Sequence, residues 1–382
     1  MKIAYIYDVI YPYVKGGAEK RFWELARRLS LKGHEVHIFG MKSWQGDAHL
    51  IKEGVYIHGI GRHRNLYQRR GVRSIRQVLY FSIGILPSLW KKKFDIIDCN
   101  AFPYLTFFPI KLYAWLKRIP LVMTWQEVWN DYWYKYLGKF RGAIGRFLEK
   151  VVIKFSDNII VHSLRVRAEL VNCGFDKKNI KIIPDGVDLK IIETSPEIFE
   201  KNDLIFAGRL IKDKNVDLLI KSVFSLKKEF NNIKCMIIGE GPEKESLFSL
   251  AKNFGLKDNI VFRDFLEYRQ MIAHMKSSRV FVFPSTREGF GIVVVEAMAC
   301  GLPVITVKHQ MNAACELISD GENGFICRPE ENDLTQKTAM ILKNESLRCE
   351  MSRKAKEFAR QYSWDIIAEE NEAFYSQILS GN

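Results

Sequence analysis

A chain of 382 residues, 47% hydrophobic and 27% charged, is too apolar to be disordered and too long for one ordinary hydrophobic core, so two globular domains are expected. Its net charge of +14 points to an anionic partner, because a basic surface attracts nucleic acid, acidic lipid and phosphorylated substrates alike. The seven cysteines (Cys99, Cys173, Cys235, Cys300, Cys315, Cys327 and Cys349) form neither a CxxC pair nor a Cys/His cluster; neither a zinc site nor a disulfide framework is indicated, and free thiols in a reducing cytoplasm are expected.

The chain opens on an apolar run, 2–7, that is too short for a signal-peptide core and reads as a first β-strand. A loop with Gly16 and Gly17 follows, then Phe22, Leu25, Ala26 and Leu29 at helical spacing, with Gly33 as a stop. Together with a strand at 35–39 this makes a βαβ unit, since parallel strands need a crossover helix. Between Glu53 and Asp95 no acidic residue occurs, whereas Arg62, Arg64, Arg69, Arg70, Arg73, Arg76, Lys91, Lys92 and Lys93 do. The weakly polar stretch 78–90 within that span is well short of the ~20 residues a membrane-crossing helix needs, and it carries Pro87. Further strands at 95–99, 121–124, 158–161 and 181–183 complete a doubly wound domain.

A polar stretch from Asp185 to Asn202 reads as a linker. The same grammar then restarts with a strand at 204–207, a helical face of Val216, Leu219, Ile220 and Val223, and a strand at 235–238. Later strands fall at 280–283 and 303–307. The valine-rich segment from Ile292 is read as a buried helix, because the strands on either side are too close in sequence for anything except a crossover helix. Residues 334–379 are helical in pattern.

Open α/β sheets bind ligands beyond the carboxyl ends of their strands, so the segments leaving those ends carry the chemistry. Gly208 to Lys214 follows one strand and precedes a helix, which holds Arg209 and Lys214 at the sheet edge, where a guanidinium fork and an ammonium neutralise a diphosphate. The segment 284–291 also follows a strand. Its Gly289 and Gly291 let the backbone approach a ligand where a helix starts and offers unpaired N–H groups to an anion. Glu288 in that loop and Glu296 in the helix suit the vicinal hydroxyls of a ribose or a hexose rather than phosphate. Taken singly, the same residues also fit a solvated cationic loop and a pair of capping or ion-paired carboxylates.

The ordered set Gly208-Arg209-Leu210 with Lys214, Glu288-Gly289-Phe290-Gly291 and Glu296 resembles glycosyltransferase family 4, the group 1 retaining enzymes related to glycogen and sucrose synthases. Gly16-Gly17-Ala18-Glu19, Pro184-Asp185-Gly186-Val187-Asp188, Gly239-Glu240-Gly241-Pro242 and Gly301-Leu302-Pro303-Val304 are similar to that family's other landmarks, in the same order. The resemblance implies an α/β protein of GT-B type, with two Rossmann-like domains facing a cleft. An acceptor-binding domain would span 1–190, a nucleotide-sugar-binding domain 200–362, and a C-terminal helix, 363–382, would return to the first domain. It further implies a retaining hexosyltransferase that uses a UDP or GDP sugar, with no cofactor and no metal; the chain has no Asp-x-Asp triplet. On that implication Arg209 and Lys214 bind the diphosphate, Glu296 the ribose, and Glu288 with the backbone of Phe290 and Gly291 the transferred sugar. Arg209, Lys214 and Glu288 are then the catalytic set, Gly208 and Gly289 belong to the donor loops, and Gly16 and Gly17 approach from the opposite domain. Transfer on one face of the sugar, with the departing diphosphate helping to deprotonate the acceptor, needs positioning and leaving-group stabilisation rather than a protein nucleophile.

The chain departs from the family at two positions. After the strand at 121–124, where members often carry a histidine, it has Gln126, which hydrogen-bonds a sugar hydroxyl but is no proton carrier. Asp264 stands where many members have a glycine near the nucleotide base. Glu19, Gln126 and His162 are candidate acceptor or sugar contacts, and His162 fits a core or surface role as well. The aromatics Trp125, Trp129, Tyr132, Trp133, Tyr134 and Tyr136 fit either a sugar platform or a core. Basic and aromatic residues mix over 132–155, a pattern suited to anionic lipid. A cytoplasmic enzyme docking peripherally at the membrane face, beside a glycan, lipid-linked or phosphorylated acceptor, is therefore expected, with simple solubilising charge as the alternative. A nucleotide-sugar epimerase of the same architecture is a second reading. A basic nucleic-acid-binding protein is a third, but no binding motif supports a nucleic-acid partner.

Overall fold

The computed structural model describes residues 1–14, 16–62 and 73–381; Lys15 and three arginines of the basic run, Arg64, Arg69 and Arg70, lie outside them. The chain divides into two compact units, Met1–Asp185 with Trp364–Asn382, and Gly186–Ser363.

The first unit is built on strands β1 (Lys2–Ile6), β2 (Glu35–Lys42), β3 (His49–Lys52), β4 (Val55–Arg62), β5 (Ile96–Asn100), β6 (Leu121–Trp125), β7 (Asn158–Val161) and β8 (Ile180–Ile182). They form one sheet in the order β3-β4-β2-β1-β5-β6-β7-β8. All neighbours are parallel except β3, which folds back on β4 through a two-residue turn at Glu53 and Gly54. Both turn residues are left-handed, with φ of 49° and 79°, as a tight hairpin with the right-handed twist of its strands requires. This hairpin is absent from the sequence reading because Gly59 and Gly61 interrupt β4 and blur its period.

Helices cover both faces of that sheet. Helix α1 (Gly17–Leu31) packs Phe22, Leu25 and Leu29 on one face. On the other lie α2 (Ile75–Gly84), α3 (Leu86–Trp90), α4 (Phe107–Lys117), α5 (Tyr132–Leu137), α6 (Lys139–Phe155) and α7 (Leu164–Asn172), with Phe81, Leu89, Ile110, Trp133, Val152 and Leu170 in a second core. The near-continuous burial of β1, β5 and β6 is that of a parallel sheet covered on both sides.

The second unit begins where a linker was expected. Instead of an irregular stretch the chain forms a short helix, α8 (Leu189–Thr194), whose N-cap Asp188 accepts a hydrogen bond from the Ile191 amide at 2.9 Å. Ile192 is buried in the core of this unit. Six residues are too few for an apolar period to show, so only the tertiary contact reveals the helix.

Strands β9 (Asn202–Ala207), β10 (Cys235–Ile238), β11 (Ile260–Arg263) and β12 (Ser278–Phe283) follow, with α9 (Val216–Leu226), α10 (Lys244–Asn253) and α11 (Tyr268–Lys276) between them. After a two-residue strand β13 (Arg287–Glu288) come α12 (Ile292–Ala299), β14 (Val304–Val307), β15 (Met311–Asn312), β16 (Gly324–Cys327), α13 (Glu331–Lys343) and α14 (Glu345–Ala359). The main sheet runs β11-β10-β9-β12-β14-β16, all parallel, which is the doubly wound order. Helix α12 is buried as its neighbours in sequence required, with Val294 and Val295 fully inaccessible.

The last helix, α15 (Trp364–Ser380), belongs to the first unit. Trp364, Ile367 and Tyr375 pack into the core under α1. The Tyr375 hydroxyl donates to Asp98 Oδ2 at 2.6 Å while Thr124 Oγ1 donates to Asp98 Oδ1 at 2.6 Å, so a buried carboxylate in β5 anchors the helix. Burial pushes the Asp98 carboxyl up to about 6.

Candidate active site

In the second unit β9 is flanked by β10 on one side and β12 on the other, so the connections leave the sheet in opposite directions there. That switch point is where an open α/β sheet binds ligands. The two loops singled out in the sequence leave the carboxyl ends of these same strands.

The loop after β9 lies directly on the loop after β10. Gly208 N–H donates to Ile238 O at 3.0 Å, Leu210 N–H to Glu240 O at 2.8 Å and Glu243 N–H to Leu210 O at 3.0 Å. The backbones are so close that a β-carbon at Gly239 (φ 153°) would overlap the Gly208 carbonyl oxygen, and one at Gly241 (φ 156°) the Leu210 carbonyl oxygen. Those glycines therefore set the course of the Arg209 loop.

Asp213 stitches this loop to the one after β12. Its carbonyl oxygen accepts from Thr286 N–H at 2.8 Å, Thr286 Oγ1 at 3.1 Å and Ser285 Oγ at 3.2 Å, and its carboxylate lies 3.6 Å from Arg287 Nη1. On the far side β13 pairs with β15. There the Asn312 amide donates to Thr306 Oγ1 at 3.1 Å and Val307 O at 2.9 Å, and accepts from Ala314 N–H at 3.1 Å.

Held in this way, Lys214 and Glu288 meet in an ion pair, although 74 residues separate them. Both side chains are mostly buried, 16% and 12% exposed. The ammonium also sits 5.0 Å from the centre of the Phe283 ring. Arg209 is exposed at the start of the same loop. Gly291, with φ of 104°, turns the chain into α12 in a conformation that favours glycine. Phe290 is buried, and so is Glu296, at 4% exposure. Burial together with the Glu296 and Asp188 carboxylates pushes the Tyr268 hydroxyl well above its ordinary range.

Sequence reasoning missed Asp213, Arg287, Asn312 and Tyr268. In Lys212-Asp213-Lys214 an aspartate reads as ordinary surface charge; its structural work is done mainly by its backbone carbonyl, which no side-chain pattern discloses.

In the first unit the singled-out residues lie at strand ends but serve more local contacts. Gly16 is the extended N-cap of α1, exposed together with Gly17, and the Glu19 carboxylate folds back against it. Gln126, just past β6, donates from Nε2 to Asn100 Oδ1 at 3.3 Å. His162, at the end of β7, is only 2% exposed; its Nδ1 pairs with Ile183 O at 3.0 Å, and burial lowers its pKa to about 4. The ring is thus neutral near pH 7, with Nδ1–H the donor. In the aromatic run Trp125 and Trp133 are core residues, whereas Tyr134 is exposed. Glu149, itself buried, organises the segment by accepting from Tyr104 Oη at 2.5 Å and from the Trp129 and Asn130 amides at 2.8 Å. Among the described residues no group of three or more His, Cys, Asp or Glu side chains is placed to hold a metal.

The family model for glycosyl transferases group 1 matches residues 190–358 and that for glycosyltransferase family 4 matches residues 15–191. The chain belongs to this family of glycosyltransferases. Over 371 residues the enzyme is 28% identical to an uncharacterized glycosyltransferase of Methanocaldococcus jannaschii, covering 94% of this chain and 93% of that one. It is also 28% identical to a phosphatidyl-myo-inositol mannosyltransferase of Mycobacterium leprae, covering 97% and 96%. Among solved structures, Anabaena HepE in complex with UDP superposes with a TM-score of 0.76 at 18% identity, over 99% of this chain and all of that one. That likeness establishes the fold, the GT-B type with two Rossmann-like domains, for this glycosyltransferase.

Proposed function

We propose that this glycosyltransferase is a metal-independent, retaining hexosyltransferase that moves a sugar from a UDP or GDP donor to a glycan, lipid-linked or phosphorylated acceptor, working peripherally at an anionic membrane face. The observation that carries the reading is the Lys214–Glu288 pair, held between the loops after β9 and β12 by Asp213. One cation touches the carboxylate assigned to the sugar, and in the bound state it would also meet the neighbouring phosphoryl oxygens. Arg209 adds a planar fork for the same diphosphate. Glu288 accepts hydroxyls of the transferred sugar and Glu296 those of the ribose, while Gly289, Phe290, Gly291 and the first amides of α12 line the donor between them. Gly208 keeps the Arg209 loop against the sheet edge. Two cations at the sheet edge stabilise the charge that grows on the diphosphate as the glycosidic bond breaks, which is the role a metal would otherwise fill. The diphosphate then takes the acceptor proton as the new bond forms on the same face. In the first unit, Gly16, Gly17, Glu19 and Gln126 are assigned to the sugar and acceptor; His162, also a candidate contact, is buried against Ile183 O and is left to the core.

A UDP complex among the structural relatives and a phosphatidylinositol-type acceptor in the name of a sequence relative support the donor and acceptor classes. In a thermal-shift experiment UDP or GDP at roughly a hundred times Kd should raise Tm by about 5 °C. No shift with either, or a product of inverted anomeric configuration by NMR, would sink the corresponding part of the reading.

A further inference from the structure

We infer that one face of the first unit, the outer side of the layer formed by α2, α4 and α6, is the surface that lies on an anionic lipid bilayer. This inference rests on the membrane-presented acceptor proposed above and names the surface that would reach it.

Three helices of one layer each bury a stripe in the same core and expose a second apolar stripe. In α2, Ile75, Leu79 and Ile83 recur every four residues and are 51%, 45% and 69% exposed. In α4 the exposed stripe is Phe108, Leu112 and Trp115, the tryptophan 71% exposed. In α6 it is Phe140, Ile144 and Phe147, with the two phenylalanines 79% and 66% exposed. Periodic exposure of large apolar side chains on neighbouring helices is a contiguous feature, unlike the scattered exposed residues found on any surface. Helices α1 and α15, against the opposite face of the sheet, show no such stripe; their exposed large apolar residues are Leu31, Ile366 and Leu379.

Charge decides the occupant. Helices α2, α3 and α4 contain no acidic residue, and the single one in α6, Glu149, is buried and occupied by Tyr104 and two backbone amides. Around the stripes stand the exposed cations Arg76, Lys91, Lys93, Lys117, Lys150 and Lys154. Lys117 folds its ammonium to 4.8 Å from the centre of the Trp90 ring, the posture of a side chain whose stem lies on apolar surface while its head stays wet. Apolar and aromatic stripes rimmed by cations, with no free acid, match the acyl boundary and negative headgroups of a bilayer. A protein partner of ordinary surface would offer no matching excess of negative charge. None of these helices is long and apolar enough to cross a membrane.

Sedimentation of the full chain with vesicles of phosphatidylglycerol and phosphatidylcholine in equal parts tests the inference, alongside vesicles of phosphatidylcholine alone. The wild type should bind the anionic vesicles and lose binding as salt is raised. Phe140→Ser with Phe147→Ser should weaken it about tenfold or more, as should Lys150→Glu with Lys154→Glu, while Tm and the UDP- or GDP-induced shift stay unchanged. Absent wild-type binding, or binding untouched by both double variants in folded protein, overturns the inference. So does a wild-type dimer in light scattering that the phenylalanine variant dissolves, because the face would then be covered by a second copy. Sugar transfer to a detergent-solubilised lipid extract separates the two levels: if it persists while vesicle binding is absent, the surface assignment alone fails; if no lipid is glycosylated, the acceptor reading fails too.

Discussion

The two units place their singled-out residues at equivalent points, the carboxyl ends of central parallel strands, yet they secure them differently. In the second unit the loops are held chiefly through backbone groups, by Gly239 on Gly208 and by the Asp213 carbonyl, which accepts from Thr286 N–H and from the Ser285 hydroxyl. The side chains of Lys214 and Glu288 are thereby brought together in an ion pair, with Arg209 exposed at the start of the same loop. In the first unit side chains do the securing: His162 holds Ile183, Glu149 holds the aromatic loop, and Asp98 holds the last helix. Loops fixed by main chain keep their course whatever their side chains do, whereas a region fixed by ionisable side chains makes its fold sensitive to protonation.

The sharpest way to break this contrast is to remove the two candidate cations. Lys214→Ala and Arg209→Ala should each lower turnover by about 10²–10³, the usual loss of one preorganised charge partner, with the circular dichroism spectrum unchanged. Near-normal release of nucleoside diphosphate by both variants would contradict the assignment. Next in size is Gly239→Ala, which adds one methyl group where the Gly208 carbonyl lies. A loss of about 3 kcal/mol is expected in denaturant unfolding of the second unit, with donor binding lost in parallel.

Acid should act on the other unit. Glu35 accepts from His37 Nε2 at 2.9 Å, His37 Nδ1 meets His58 Nε2 at 2.8 Å, and His58 Nδ1 meets His49 Nδ1 at 3.0 Å, a chain with one consistent donor direction when all three rings are neutral. Burial lowers His37, and lowers His58 to about 3 and His162 to about 4. With folded values below the unfolded ~6.5, the unfolded chain binds more protons, so the contribution of these rings is complete above about pH 6.5 and is lost as pH falls through that value. Asp98 works in reverse: its folded value near 6 exceeds the unfolded one, so acidification below pH 6 favours the native state at this group. Burial raises Asp8, Glu149 and Glu169 in the same direction as Asp98, so these carboxyls offset part of the loss, which is expected between about pH 6.5 and 4.5 where the rings stand, in β2 and β4 and at the end of β7. Hydrogen exchange should show amides of β2, β4 and β7 losing protection before those of β9 and β12; the opposite order would remove the contrast. The smallest effect belongs to Gln126→Ala. With one 3.3 Å contact to Asn100, it should cost about threefold in kcat/KM, under about 1 kcal/mol.

Much of the architecture follows from local sequence. The parallel strands are apolar runs between turn signals, and the glycines at 208, 239 and 291 mark places where the backbone conformation or a close approach excludes a larger residue. These are short-range properties, and so were the candidate donor residues, which sit within a few positions of those glycines. Which residues meet was decided only in three dimensions. The Lys214–Glu288 pair, the Asp213 stitch, the burial of His162 and the Tyr375–Asp98 anchor join positions 21 to 277 residues apart. A sequence discloses the period and the punctuation of each element because sterics act between neighbours; it does not disclose such contacts, because they depend on how whole elements pack, and α8 shows that even a helix stays hidden when its one buried residue finds its partners elsewhere in the unit.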